Sequence, residues 1–168
     1  MTHARGLCAG GAGYGSVMST NTRRMKATPD QVWDVLADGW LYPLWVVGAS
    51  RMRSVDAEWP QVGSRLHHSV GSWPLLIDDT THVRECVPGS KLVLHARAWP
   101  TGAAGVTIEL QAVGEETDVS IVETAESGPA RFLPQSLLDA PLAWRNTETL
   151  RRLAYIVERR SAGRTLPE

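Results

Sequence analysis

Between residues 49 and 126 apolar and polar side chains alternate with a period of two, in segments cut by Gly and Pro. A strand turns successive side chains to opposite faces, whereas a helix repeats about every 3.6 residues, so this stretch is strand-forming throughout. The segments are 49–56, 63–70, 75–87, 91–99, 106–113 and 118–126. Pro60, Gly63, Gly71, Pro88-Gly89, Pro100 and a Gly-Glu-Glu-Thr turn punctuate them. Turns this short leave no room for crossover helices, which predicts an antiparallel meander.

Helical signals flank the meander. Residues 20–27 read as a short polar strand. Thr28-Pro-Asp-Gln-Val-Trp-Asp-Val-Leu then carries an N-cap Thr, Pro at the first helical position, an acid in the first turn and Gln31 three residues after the cap. Gly39 ends that helix, and WLYPLW makes a second short one broken at Pro43. After Pro141 a long helix follows, with Leu142, Asn146, Leu150, Leu153 and Val157 in one stripe and Glu148, Arg151 and Tyr155 opposite. Glu148 and Arg152 form a favourable i,i+4 pair. The order predicts an α+β fold, with both apolar faces buried by curving the sheet around the last helix. A curved antiparallel sheet of six to seven strands wraps a long C-terminal helix, with two short helices after the first strand.

The chain of 168 residues suits one domain, expected over 19–160, between a leader (1–18) and a tail (161–168) without order. Met18 is a candidate start. A formal charge of −1 with interspersed signs offers no nucleic-acid face. No segment has the roughly 20 apolar residues of a membrane span. The leader lacks the apolar core of a signal peptide, and two cysteines suit a reducing cytoplasm. Glycines 10, 11, 13 and 15 are not flanked by a strand and a helix, so no dinucleotide loop is read. No nucleophile elbow, HExxH or zinc spacing occurs, and no cofactor or metal is expected. The oligomeric state is left open.

Several segments together resemble the SRPBCC/START-like superfamily, and more closely its bacterial polyketide cyclase/dehydrase-like proteins. These are ATPDQVWDVLAD (27–38), WVVGAS (45–50), WP (59–60), LHHSVGSWPL (66–75), PGSKLVLHARAWP (88–100), VGEETDVSIVE (113–123), SGP (127–129) and RNTETLRRL (145–153). The resemblance covers residues 20–160. It implies the helix-grip (START-like) fold, with a hollow between the concave sheet and the terminal helix that holds a small, largely hydrophobic molecule, polyketide- or lipid-like. Three functions fit: a binder or carrier, a cyclase/dehydratase-type enzyme using the same cavity, or a regulatory protein docking a partner in its groove. Binding is preferred because no acid/base pair in the sequence is compelling.

Alternation nominates the cavity residues. Val119, Ile121 and Glu123 share a face, which puts a carboxylate among apolar neighbours unless a bulge turns it outward. Asn146 lies within the helix's apolar stripe, as a core amide or a ligand contact. Glu123 and His68 are the candidate catalytic groups. The remaining cavity candidates are Trp40, Tyr42, Trp45, Trp73, Asp79, Leu94, Ile108 and Leu150, with Trp99 a further wall candidate; Trp40 and Tyr42 suit the entrance. Arg145, Arg151 and Arg152 read as a solvated helix face. His67 and His68 are adjacent on a strand, so they point to opposite faces and do not converge on one metal. His68 shares parity with Leu66 and Val70 and is assigned to the cavity; His67 is assigned to the outer surface.

Overall fold

The computed structural model describes residues 16–72, 74–98, 102–127 and 135–164. Trp73 and Trp99, most of the leader and the end of the tail lie outside the described residues. Among the described residues seven strands are formed: β1 (Ser16–Met25), β2 (Ala49–Val55), β3 (Arg65–Ser72), β4 (Leu75–Val87), β5 (Lys91–Ala98), β6 (Gly102–Val113) and β7 (Glu116–Ser127). Helix α1 (Pro29–Leu36), a 3-10 turn (Gly39–Leu41) and α2 (Tyr42–Trp45) follow β1, and α3 (Gln135–Arg164) closes the order. The sheet runs β1-β7-β6-β5-β4-β3-β2, antiparallel throughout. The α+β helix-grip architecture expected from the sequence is present.

Local chemistry explains the elements. Thr28 and Gln31 complete a reciprocal capping box: the Gln31 amide N–H donates to Thr28 Oγ1, and the Thr28 N–H donates to Gln31 Oε1 at 2.9 Å. The indole N–H of Trp59 donates to the Leu36 carbonyl at 3.2 Å and satisfies one group at the helix end. The chain then turns at buried Gly39, where a Cβ would lie 2.7 Å from Leu66 Cδ2 and 2.8 Å from Val55 Cγ1. That close approach lets α2 run back over β2 and β3.

Several boundaries differ from the sequence reading. β1 begins at Ser16, four residues before the expected strand and inside the expected leader, because its residues pair with β7 as far as Ala125. β6 begins at Gly102, ahead of Val106, through a Gly/Ala-rich segment whose propensity for strand is poor but whose partners on β5 are in place. α3 begins six residues before Pro141 and passes through it, at the cost of one main-chain hydrogen bond, and ends beyond residue 160.

The inner face of the sheet is tapered. On β6 the inward residues run Leu110, Ile108, Val106, Ala104, and on β5 they run Leu92, Leu94, Ala96. Register aligns these as rows. Leu92, Ile108 and Ile121 form one row, Leu94, Val106 and Glu123 the next, and Ala96, Ala104 and Ala125 the last. At the wide end Met25, Val32, Val35, Leu36, Leu153 and Val157 pack into a filled core. At the alanine end the side chains are too short to meet α3.

Gly39→Ala forces its methyl group against Leu66 and Val55. The expected outcome is a loss of about 1–3 kcal/mol, read as a lowered urea midpoint with an unchanged slope. An unaltered midpoint would show that this close approach is not needed.

Candidate functional site

The taper leaves a cavity of about 470 Å³ between the concave sheet, α2 and the first half of α3. That volume is in the range of small-molecule sites, roughly 300–1,000 Å³. Leu94, Ala96, Ala104, Val106, Ile108 and Ile121 form an apolar floor. Its wall carries two clusters of polar side chains, and Arg97 and Thr149 border it as well.

The first is Glu123 on β7, 4% exposed. The register between β6 and β7 is unbroken around it, so no bulge turns it outward and its carboxylate faces the cavity. Burying a carboxylate requires a cation or several donors. Arg145 on α3 donates to both carboxylate oxygens, and Asn146 Nδ2 donates to Oε2 at 3.0 Å. Asn146 is thus a buried amide whose partner is the acid itself. Arg145 corrects the expectation of a solvated helix face. Its position flanks the apolar stripe, and its long side chain, 35% exposed, reaches round to the buried acid.

The second place is formed by α2, β3 and β4. His68 Nε2 lies 3.0 Å from Thr81 Oγ1. The Tyr42 ring meets Trp45 edge-on at 5.3 Å and His68 at 5.2 Å. Burial pushes the Tyr42 phenol up and is the main cause that lowers the His68 imidazole, which is therefore neutral near pH 7. Two buried atoms of this wall make no hydrogen bond: Trp45 Nε1 and His68 Nδ1.

Of the residues nominated from sequence, Tyr42, Trp45, His68, Leu94, Ile108, Glu123 and Asn146 line this one cavity. Three do not. Trp40 is 59% exposed, because the 3-10 turn before α2 rotates it away from its neighbour Tyr42. Leu150 lies one turn further along α3, in the filled core. Asp79 is half-exposed; its carboxylate accepts from the Thr80 N–H at 2.6 Å and borders a separate surface depression with Ile77 and Arg97. His67 is on the opposite face from His68, with Nε2 3.7 Å from Asp56 and Nδ1 3.4 Å from Thr80 Oγ1. Thr149, which accepts from the Val47 N–H at 3.2 Å and ties the end of α2 to α3, went unnoticed in the sequence, as did Thr81 as His68's partner. The signal for Arg145 was there: an inward acid on β7 needs a cation, and Arg145 stands beside the inward Asn146.

Comparison with known proteins follows from this geometry. Residues 17–158 match the family model described as polyketide cyclase / dehydrase and lipid transport. No curated protein matches. The fold is similar to protein NE0264 from Nitrosomonas europaea (TM-score 0.68, 17% identity, covering 86% of this chain and 96% of that one). It is also similar to DynU16, a protein in the dynemicin biosynthetic locus (0.61, 20%), where 83% of this chain spans 46% of the other. Ara h 8.0201 matches at 0.61 with 10% identity, over 83% of this chain and 95% of that one. At these identities the likeness is one of fold.

Two outcomes follow from the site. Arg145→Met leaves Glu123 buried without its cation and is expected to cost about 2 kcal/mol, less than for a fully buried pair because water reaches Arg145. Adding Glu123→Gln should recover most of that loss in urea titrations; no recovery would show that the two do not act as a pair. His68 and His82 both titrate below the ordinary 6.5, mainly through burial. The unfolded chain therefore takes up protons first, so their contribution is intact above about pH 6.5 and lost as pH falls through the lowered folded values. Thermal melts of His68→Leu should show a shallower acid decline than wild type, and an identical decline would contradict this.

Proposed function

Because the chain belongs to the polyketide cyclase/dehydrase and lipid-transport family, we propose that its cavity binds a small, largely hydrophobic molecule, polyketide- or lipid-like, with the polar end of that molecule at Glu123. The carrying observation is the joint presence of an apolar floor and one buried carboxylate, held by Arg145 and Asn146, on the same cavity. Apolar area supplies affinity, and the fixed acceptor supplies orientation, since a ligand hydroxyl can donate to Glu123.

Catalysis of the cyclase/dehydratase type in the same cavity is the second reading. One observation favours it: a neutral buried imidazole, His68, and a carboxylate, Glu123, border one volume. Both would touch the same bound molecule, the arrangement that acid–base chemistry needs. Binding without turnover remains the first reading, because Glu123 is already engaged by two donors.

Native mass spectrometry of protein purified from its own host tests the binding. A retained small molecule is expected on wild type and should be lost from Ala104→Phe, which fills the alanine row while keeping the far-ultraviolet spectrum. Retention of the same molecule by the filled variant, or a wild type that is always empty, would overturn the proposal.

A further inference from the structure

The outward face of α3 should be polar, since the stripe of Leu142, Asn146, Leu150, Leu153 and Val157 takes up its inward side. It carries Trp144, 67% exposed, and Tyr155, 63% exposed. At about 100° and 1.5 Å per residue, these two positions share one line of the helix surface to within about 20° and stand about 16 Å apart. Leu44 of α2, 58% exposed, borders one surface depression with Glu148, Arg151 and Tyr155. Large apolar side chains gathered along one exposed strip form a patch that association would bury.

The charges between the two rings choose the occupant. Glu148 and Arg151 lie on the same strip, between Trp144 and Tyr155. When identical helices pack antiparallel about a two-fold axis, each residue faces the one equally far beyond the axis. With the axis at the height of Thr149 and Leu150, Trp144 faces the partner's Tyr155 and Glu148 faces the partner's Arg151. The strip thus reads aromatic, acid, base, aromatic, an order that is its own complement. Within one chain Glu148 accepts from Arg151 Nε at 2.6 Å and from Arg151 Nη2 at 3.0 Å, which leaves Nη1, among the described residues, for the acid of a second copy. A lipid surface, or any partner of one sign, would oppose either Glu148 or Arg151 with like charge. A second copy opposes neither.

We infer that this face of α3, with Leu44 beside it, is a self-association surface on which two copies of the chain pair by antiparallel packing of α3 about a two-fold axis. Trp144 packs on the partner's Tyr155 and Glu148 meets the partner's Arg151, and symmetry makes each contact twice. Trp, Tyr and Arg are the side chains that carry most of the energy of such contacts. Trp144 also lines the cavity, so the hollow reaches the surface beside it. The partner's Tyr155 therefore stands at the rim of the cavity, and each copy completes the mouth of the other. One helix strip with one residue of α2 is a small contact, at the low end of interface sizes, which places dissociation in the micromolar range. The pairing does not depend on what the cavity binds.

Sedimentation velocity of the full chain, from about 1 to about 300 µM, measures the pairing. The mean mass should rise from that of one chain, 18.4 kDa, toward that of two. Trp144→Ser and Tyr155→Ser, both at exposed positions, should each raise the dissociation constant about tenfold or more with an unchanged far-ultraviolet spectrum. Glu148→Arg alone and Arg151→Glu alone place like charges across the axis and should each weaken pairing. An equimolar mixture of these two variants should restore it, because every 148–151 contact between unlike copies is again of opposite sign; a role confined to one chain gives no such rescue. The ring variants decide the matter even where a charge variant fails to fold. A wild type that stays monomeric over this range would overturn the surface, including one that sediments instead with phosphatidylglycerol–phosphatidylcholine vesicles. Dimers left intact by both ring variants, or a mixture of folded charge variants that stays monomeric, would overturn it as well.

Discussion

Side-chain length along the inner face of the sheet is the constraint on which the rest of this molecule depends. A strand offers only every second residue to the helix it faces, so each inward position decides locally whether the gap is filled. From Leu92, Ile108 and Ile121 to Ala96, Ala104 and Ala125 that length falls to a single methyl group. α3 spans the whole gradient. Its second half, with Leu153, Ala154 and Val157, packs into the filled end, and its first half faces the hollow with Arg145, Asn146 and Thr149. Stability and binding are thus divided along one helix.

The buried acid follows from the same geometry. Glu123 stands in the row between the filled end and the alanine row, opposite Val106. Desolvation of a lone carboxylate there would outweigh much of what the surrounding packing contributes. Arg145 and Asn146 come from consecutive positions on α3, so docking the helix and neutralising the acid are one event. β1 adds a further tie: Asn21 Nδ2 donates to the Ala143 carbonyl at 3.3 Å and to Thr147 Oγ1 at 3.1 Å. The turn of α3 from Ala143 to Thr147 is therefore fixed beside the site.

The strand order was legible because alternation and Gly/Pro punctuation are strong over long segments, and seven strands formed where six to seven were expected. The inward side of Glu123 and the opposed faces of His67 and His68 were legible for the same reason, since parity is a local property. What was not legible depends on distance or on partners. Leu150 shares the correct stripe, but a stripe does not say where the core ends and the cavity begins. Trp40 and Tyr42 straddle a change from 3-10 to α geometry that the sequence does not mark. Ala104 fell outside the expected strands because Gly102–Gly105 has little strand propensity and is held by its neighbours. Arg145 was assigned by where its Cα sits, whereas its guanidinium ends elsewhere.

On the function proposed above, the alanine end of the sheet is a binding cavity organised by Glu123. A crystal structure of protein taken directly from its own host, without added ligand, tests it most directly. Continuous density is expected in the hollow over Ala96 and Ala104, with a polar atom at hydrogen-bonding distance from Glu123 or its two donors. A hollow closed by inward collapse of Trp45 and α3, with Glu123 turned to solvent, would contradict it.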